Sequence, residues 1–327
     1  MQKITVSKNE AGQRADKLLG KYFSEAPKSF LYKMMRKKNI TLNKKKMTGS
    51  EKLEIGDEIY LFLSDETIEK FTASTRVLKR AEKYKTELDV IYEDDDVLFL
   101  NKPYGVLSQK SRPSDVSMVE YLTAYLLEKG SITEEGLKYF RPSVCNRLDR
   151  NTSGIITAGK SLKGLQVLSG MLKERSVKKY YRTIVIGTIT KSVYVKGYLK
   201  KDEKTNKVEI RQKEFENSVP IETEYFPIAS NGKETLLEVH LITGRTHQIR
   251  AHLASKGHPI IGDVKYGNRR INEAYKNEFH LNHQLLHAYR MEFPDNVKEL
   301  PALSGLILTA RPPRMFEQIS ESCFGIK

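Results

Sequence analysis

Cysteine is scarce in this chain of 327 residues: Cys145 and Cys323 are the only two, and they stand far apart, outside any Cys-x-x-Cys pair. A disulfide framework and a zinc ribbon are thereby excluded, and each thiol reads as a small apolar side chain. Long apolar runs are also missing, and the opening MQKITVSKNEAG lacks the apolar stretch of a secretory signal. A soluble cytoplasmic protein with no membrane partner is expected. Acidic residues are the minority charge, 41 against 56 Lys and Arg, giving a formal net charge of +15. Such an excess points to a polyanionic partner rather than a small neutral metabolite, without separating RNA from DNA or membrane. Hydrophobic content of 39% supplies a real core, and the length favours two domains.

Residues 13 to about 62 read as a compact unit of helix, helix and strands. Ala15, Leu18, Leu19 and Tyr22 share one helical face, and Leu31, Met34 and Met35 repeat the pattern after Pro27. Ile40, Leu42, Leu53, Ile55, Ile59, Leu61 and Leu63 then suggest strands, with a lysine run at Lys44, Lys45 and Lys46. The boundaries expected are a small N-terminal domain over 1–63, a polar linker over 64–88 and a larger domain over 89–327. In the larger domain, strand-like runs recur at 97–100, 155–158, 182–186, 221–228, 236–242 and 306–309. Two helices interrupt them. Ser117 and Glu120 form a capping box ahead of Val119, Leu122 and Leu126, and Leu162, Leu165, Leu168 and Leu172 form an apolar stripe. The fold class expected is α+β, with a mixed, mainly antiparallel sheet and a small α/β unit at the N-terminus.

Three segments carry candidate chemistry. The first, Asn146-Arg147-Leu148-Asp149-Arg150-Asn151-Thr152-Ser153-Gly154, places Asp149 in a loop just before the run Ile155-Ile156. Taken alone, Arg147 and Arg150 are surface ion partners and Thr152-Ser153-Gly154 is a turn. A carboxylate beside fixed guanidinium groups nevertheless stays ionised, the state that a nucleophile or general base needs. The second runs from Arg175 through Lys178-Lys179-Tyr180-Tyr181 to Gly187, and its tyrosines could be core residues of an alternating strand. The third, Leu241-Ile242-Thr243-Gly244-Arg245-Thr246-His247-Gln248-Ile249-Arg250, continues through His252, Gly257-His258-Pro259-Ile260, Gly262-Asp263 and Tyr266-Gly267. Thr246 can begin a helix there and Gly257 can end it. His247, His252 and His258 cluster in sequence, but a spacing of five does not align two ligands on a helix, and no HExxH or cysteine pair completes a metal site.

Together these segments resemble the RluA family of pseudouridine synthases, the large-subunit ribosomal type. Arg147-Leu148-Asp149 with Thr152-Ser153-Gly154 is similar to its HRLDxxTSG motif, with Asn146 where the family has histidine. The second segment is similar to its KxY strand, the third to its TGRTHQIR block, and Asn101-Lys102-Pro103-Tyr104-Gly105 to its NKPxG turn. The resemblance implies an enzyme without cofactor or metal that breaks the N1–C1′ bond of a uridine in large-subunit ribosomal RNA, turns the base and rejoins it through C5. It implies Asp149 as the catalytic carboxylate, Arg245 as its ion partner, and Tyr181 as the ring that stacks on the base and assists deprotonation at C5. The target nucleotide must be extruded to reach a buried carboxylate, and Arg147 is placed to brace the vacated space.

The N-terminal unit resembles an S4 RNA-binding domain from Arg14-Ala15-Asp16-Lys17-Leu18 onward. Phosphate contacts are expected from Arg14, Arg36, Lys37, Lys38, Lys44 and Lys45, joined by Arg147, Arg150, His247 and Arg250 in the larger domain. A monomer is expected. Three rival readings stay open: a non-catalytic RNA-binding or ribosome-assembly factor on the same fold, a synthase acting on transfer RNA, and a glycosidase that releases free uracil.

Overall fold

The computed structural model describes residues 1–7, 9–72, 87–112 and 114–326. The first unit interleaves strands and helices: β1 (Gln2–Thr5), α1 (Ala15–Tyr22), α2 (Lys28–Arg36), β2 (Ile40–Leu42), β3 (Lys45–Lys46), β4 (Glu58–Leu61) and α3 (Asp65–Phe71). Its sheet runs β1-β4-β2-β3. The spacing of apolar residues explains the packing, since Ala15, Leu18, Leu19 and Tyr22 from α1 and Leu31, Met34 and Met35 from α2 all enter one core with Ile40, Ile59 and Leu61. Between β2 and β3, Asn43 and Lys44 adopt left-handed backbone, φ 49° and 63°, which makes the tight turn that presents the exposed lysines.

Helix α3 corrects the linker expected over 64–88. Ser64 caps it by accepting the Thr67 amide, Ile68 is buried in the first core, and Phe71 packs on Phe30 with ring centroids 4.7 Å apart. Residues 65–71 thus belong to the N-terminal unit, and 73–86 of that linker lie outside the described residues.

The larger unit contains β5 (Val90–Glu93), β6 (Val97–Lys102), α4 (Met118–Glu128), α5 (Gly136–Tyr139), β7 (Ser143–Val144), β8 (Ser153–Gly159), α6 (Leu162–Glu174) and β9 (Lys178–Ile186). It continues with β10 (Val193–Asp202), β11 (Lys207–Arg211), β12 (Val219–Ser230), β13 (Glu234–Leu241), α7 (Gln248–Ser255), α8 (Arg269–Phe279), β14 (Leu286–Glu292), β15 (Ile307–Thr309) and α9 (Arg314–Phe324). One sheet of 11 strands runs β11-β10-β12-β13-β9-β14-β8-β6-β5, with β15 on β14 and β7 on β8. The expected α+β class with a mixed, mainly antiparallel sheet is what the chain adopts. Among the described strands one pair is parallel, β14 with β8, where His287 lies opposite Ser153 and Ala288 opposite Gly154. The Thr-Ser-Gly turn therefore enters the sheet beside β14 at the point where strand direction changes.

The two units touch through α1 and α5. Tyr22 stacks on Tyr139 at 5.4 Å and 17°, and Arg141 reaches the Ser24 hydroxyl at 3.4 Å. No helix among the described residues is long and apolar enough to cross a membrane.

Candidate active site

The loop that carries Asp149 is held by its backbone. The Ser108 hydroxyl accepts the Leu148 amide at 2.9 Å and donates to the Leu148 carbonyl at 2.8 Å. Thr152 closes a turn onto the Asp149 carbonyl at 3.0 Å. Lys102, fully buried at the end of β6, donates to the carbonyls of Pro103 and Val106 at 2.8 Å and of Arg150 at 3.1 Å. Burial pushes Lys102 down to about 7, opposed by the charge of Asp149. Three carbonyl acceptors need three N–H donors, which only the ammonium form supplies, so the geometry argues for the cation. Downstream, Ser153 Oγ meets His287 Nδ1 at 2.9 Å while His287 Nε2 faces the Ala310 carbonyl at 3.0 Å. The carbonyl can only accept, so Nε2 carries the proton and Ser153 donates to Nδ1. Burial pushes His287 down to about 4, consistent with this neutral form.

With its backbone fixed, Asp149 keeps its side chain 27% exposed and receives Arg250 Nη1 on Oδ2 at 2.9 Å. The rest of that guanidinium grips Asp263: Nε to Oδ2 at 2.7 Å and Nη2 to Oδ1 at 2.9 Å. Asp263 is fully buried and also accepts the amides of Lys265 at 2.8 Å and Tyr266 at 3.0 Å. Burial raises its pKa, but the Arg250 bonds and charge and those two amides outweigh it and hold Asp263 below its ordinary value. Burial likewise pushes Arg250 down, and Asp263 and Asp149 more than reverse it, so the guanidinium stays charged. A carboxylate, a guanidinium and a second carboxylate thus stand in a line whose inner end is dry and whose outer end meets solvent.

His247 completes the wall. It takes left-handed backbone, φ 53°, as the residue before α7, and its Nε2 lies 3.8 Å from Asp149 Oδ2. Its Nδ1 meets the Tyr266 hydroxyl at 3.0 Å, and that hydroxyl also accepts the Val208 amide at 2.9 Å. With the imidazole proton on Nε2, toward Asp149, Nδ1 is left to accept from the Tyr266 hydroxyl; the other tautomer would set a lone pair against the carboxylate. Tyr181, in β9, is buried in the main core, and burial together with the Asp149 charge raises its pKa, so its hydroxyl is neutral at physiological pH.

Three expectations need correcting. Arg245 does not reach Asp149: it is exposed in the turn before α7, where its amide donates to the Gln248 side chain at 3.1 Å and its carbonyl accepts the Gln248 amide at 3.1 Å. Arg250 lies inside α7, where residues 248–253 are all buried, whereas Arg245 lies in the exposed turn ahead of it. Conversely, Arg250 was expected on RNA phosphate, but at 5% exposure its guanidinium is engaged by two carboxylates. His247, also expected there, has a side chain only 7% exposed and faces Asp149. Arg147, Arg150, Arg14, Arg36, Lys37, Lys38, Lys44 and Lys45 are all exposed. The other two clustered histidines diverge, His252 to the Thr223 hydroxyl at 3.2 Å and His258 to the Ile186 carbonyl at 2.9 Å. Among the described residues no group of three or more His, Cys, Asp or Glu could hold a metal ion.

Asp263, Lys102, Tyr266, Ser108 and His287 were not singled out as site residues. Asp263 stood within the third segment, an acid thirteen residues after Arg250, and that was a usable signal. Ser108 offered none, being one serine in a loop whose role depends on a contact 40 residues away.

The sequence pattern of the RNA pseudouridylate synthase family matches residues 96–255. The ribosomal large subunit pseudouridine synthase C of Vibrio vulnificus is 33% identical over 303 residues, spanning 92% of this chain and 91% of that one. The protein of that name from Escherichia coli K12 is 31% identical over 311 residues, spanning 89% and 88%. Among solved structures, human RNA pseudouridylate synthase domain containing 4 superposes with a TM-score of 0.56 at 21% identity, over 74% of this chain and 94% of that one. The likeness to the human structure is one of fold.

Proposed function

Since the chain belongs to the RNA pseudouridylate synthase family, we propose that it isomerises uridine to pseudouridine in large-subunit ribosomal RNA, acting as a cytoplasmic monomer. The relatives named for that substrate match over nine-tenths of the chain, which supports the choice of RNA. The observation that carries the assignment of chemistry is the Asp149–Arg250 contact of 2.9 Å at a carboxylate still 27% exposed. A carboxylate aimed by a buried cation and open on one side can act on a ribose brought to it.

In this reading, Asp149 acts at the ribose, the N1–C1′ bond breaks, the base turns in place, C5 bonds to C1′, and the C5 proton is transferred to N1 through the site. Substrate and product are isomers, so no external oxidant, reductant or group donor enters. Arg250 orients Asp149 and compensates its charge, and Asp263 in turn fixes Arg250. The Tyr181 ring packs against the base. Arg147 and Arg150, exposed on either side of Asp149, meet the phosphates of the extruded nucleotide. The N-terminal unit, which resembles an S4 domain, adds phosphate contacts through Arg14, Arg36, Lys37, Lys38, Lys44 and Lys45.

Asp149→Asn keeps the shape of the side chain and removes its charge. It is expected to lower single-turnover pseudouridine formation on a ribosomal RNA fragment by roughly a thousandfold or more while leaving RNA affinity within a few-fold. Turnover retained in the purified variant refutes the assignment of Asp149, and free uracil from the wild-type protein refutes isomerisation.

A further inference from the structure

Tyr104 is a large aromatic residue left in solvent beside the site. It is 41% exposed in the turn after β6, and its ring lies parallel to the imidazole of His283, centroids 4.0 Å apart at 16°. His283 is a rigid backing, only 7% exposed and with Nδ1 on the Asn282 side chain at 3.0 Å. Burial pushes its pKa down, so the imidazole is neutral at physiological pH and adds no charge repulsion toward a cationic site. One face of Tyr104 is therefore covered while much of the ring stays in water.

Both halves of this stack are tied to the loop that carries Asp149. Lys102, two residues before Tyr104, holds the Arg150 carbonyl at 3.1 Å, and Gln284, next to His283, donates to the Thr152 hydroxyl at 3.3 Å. Pro103 restricts the turn and Gly105 takes φ 84°, so Tyr104 is presented by a backbone with little freedom to lose. Exposed Arg147 and Arg150 on the same loop provide positive charge for the strand on which a base would sit.

Extruding a nucleotide unstacks its neighbours, and a fixed aromatic face is a sequence-tolerant replacement for a lost stacking partner. We infer that Tyr104, backed by His283, is a stacking platform for a nucleobase flanking the extruded uridine, and so a substrate-binding residue outside the reacting centre. This inference rests on the proposed function.

The chain contains no tryptophan, so Tyr104→Trp installs a single fluorescent reporter of similar stacking capacity. The probe is a ribosomal RNA hairpin that the wild-type protein isomerises, with binding followed separately by anisotropy of a labelled RNA end. Tryptophan emission is expected to be quenched on binding, and the quench lost when a base flanking the target uridine is replaced by an abasic site. In parallel, Tyr104→Ala is expected to raise KM roughly tenfold with kcat changed by less than about threefold, and Tyr104→Phe to match the wild type. Emission unchanged while the RNA binds and is isomerised overturns the platform alone, as does an unaltered KM in Tyr104→Ala. A wild-type protein that isomerises no ribosomal RNA removes the proposed function and the platform with it.

Discussion

At the scale of single residues, the decisive distinction is between two arginines five positions apart. Asp263 is fully buried and depends on Arg250 for its counter-charge. Removing one partner of a buried pair leaves a charge that water cannot reach, at a cost of about 3–5 kcal/mol. Arg250→Ala is therefore expected to lower unfolding free energy in urea by roughly that amount and to abolish turnover, whereas Arg245→Ala, in an exposed turn, should change stability by less than about 0.5 kcal/mol. The sign of the pH dependence follows from Asp263. Its folded-state pKa is depressed, so the stabilisation is present above its unfolded value of about 4 and is lost as pH falls through the folded value. The gap between wild type and Arg250→Ala should accordingly narrow in acid. An inactive Arg245→Ala beside a stable, active Arg250→Ala would falsify this arrangement. The motif made the neighbourhood legible in sequence, with Asp149 and Tyr181 in it, but not which arginine turns inward. That depends on where α7 begins and which of its faces the sheet covers, and both arginines are equally compatible with the string of letters.

At the scale of elements, the loop is aimed by the parallel junction of β8 and β14. Gly154 has φ 106°, and a Cβ there would lie 2.2 Å from the Ala288 carbonyl oxygen. Gly257, which ends α7, has φ 83° but open space around its missing side chain. Gly257→Ala should cost only the left-handed backbone strain of about 1–2 kcal/mol. Gly154→Ala adds a backbone collision and is expected to cost roughly 3 kcal/mol or more and to cut turnover by displacing Asp149. Equal losses in urea unfolding would mean that the close approach to β14 is immaterial. Strands β6, β8, β9, β12 and β13 were readable because their apolar runs are uninterrupted or alternate cleanly. Strand β14 was not, because a bulge between Ala288 and Arg290 breaks the period of two. Strands β10 and β11 were hidden by the charged residues they expose, and α8 by having no buried residue at all.

At the scale of the whole molecule, the two units meet where Tyr139 packs onto the N-terminal core beside Tyr22, and the boundary between the units decides how the RNA-binding role can be tested. A cut after residue 63 would strand Ile68 and Phe71 without the core they pack into, so weakened binding by that fragment would report misfolding as readily as lost contacts. Neutralising charge in the full chain avoids the difficulty. Arg36, Lys37, Lys38, Lys44 and Lys45 are exposed and lie at the end of α2, just after it, in the β2–β3 turn or at the start of β3, so replacing all five by glutamine leaves the buried core untouched. If each neutralises one phosphate, the slope of log affinity against log salt should fall in magnitude by roughly 4, and affinity at low salt should drop far more than affinity at high salt. Turnover at saturating RNA should stay within a few-fold, because Asp149, Arg250 and Asp263 belong to the other unit. An unchanged salt slope with weakened binding would place the RNA contacts elsewhere, on the larger unit that carries Arg147 and Arg150. A lowered slope with intact turnover would make the N-terminal unit an electrostatic anchor that raises local RNA concentration at a site able to react without it.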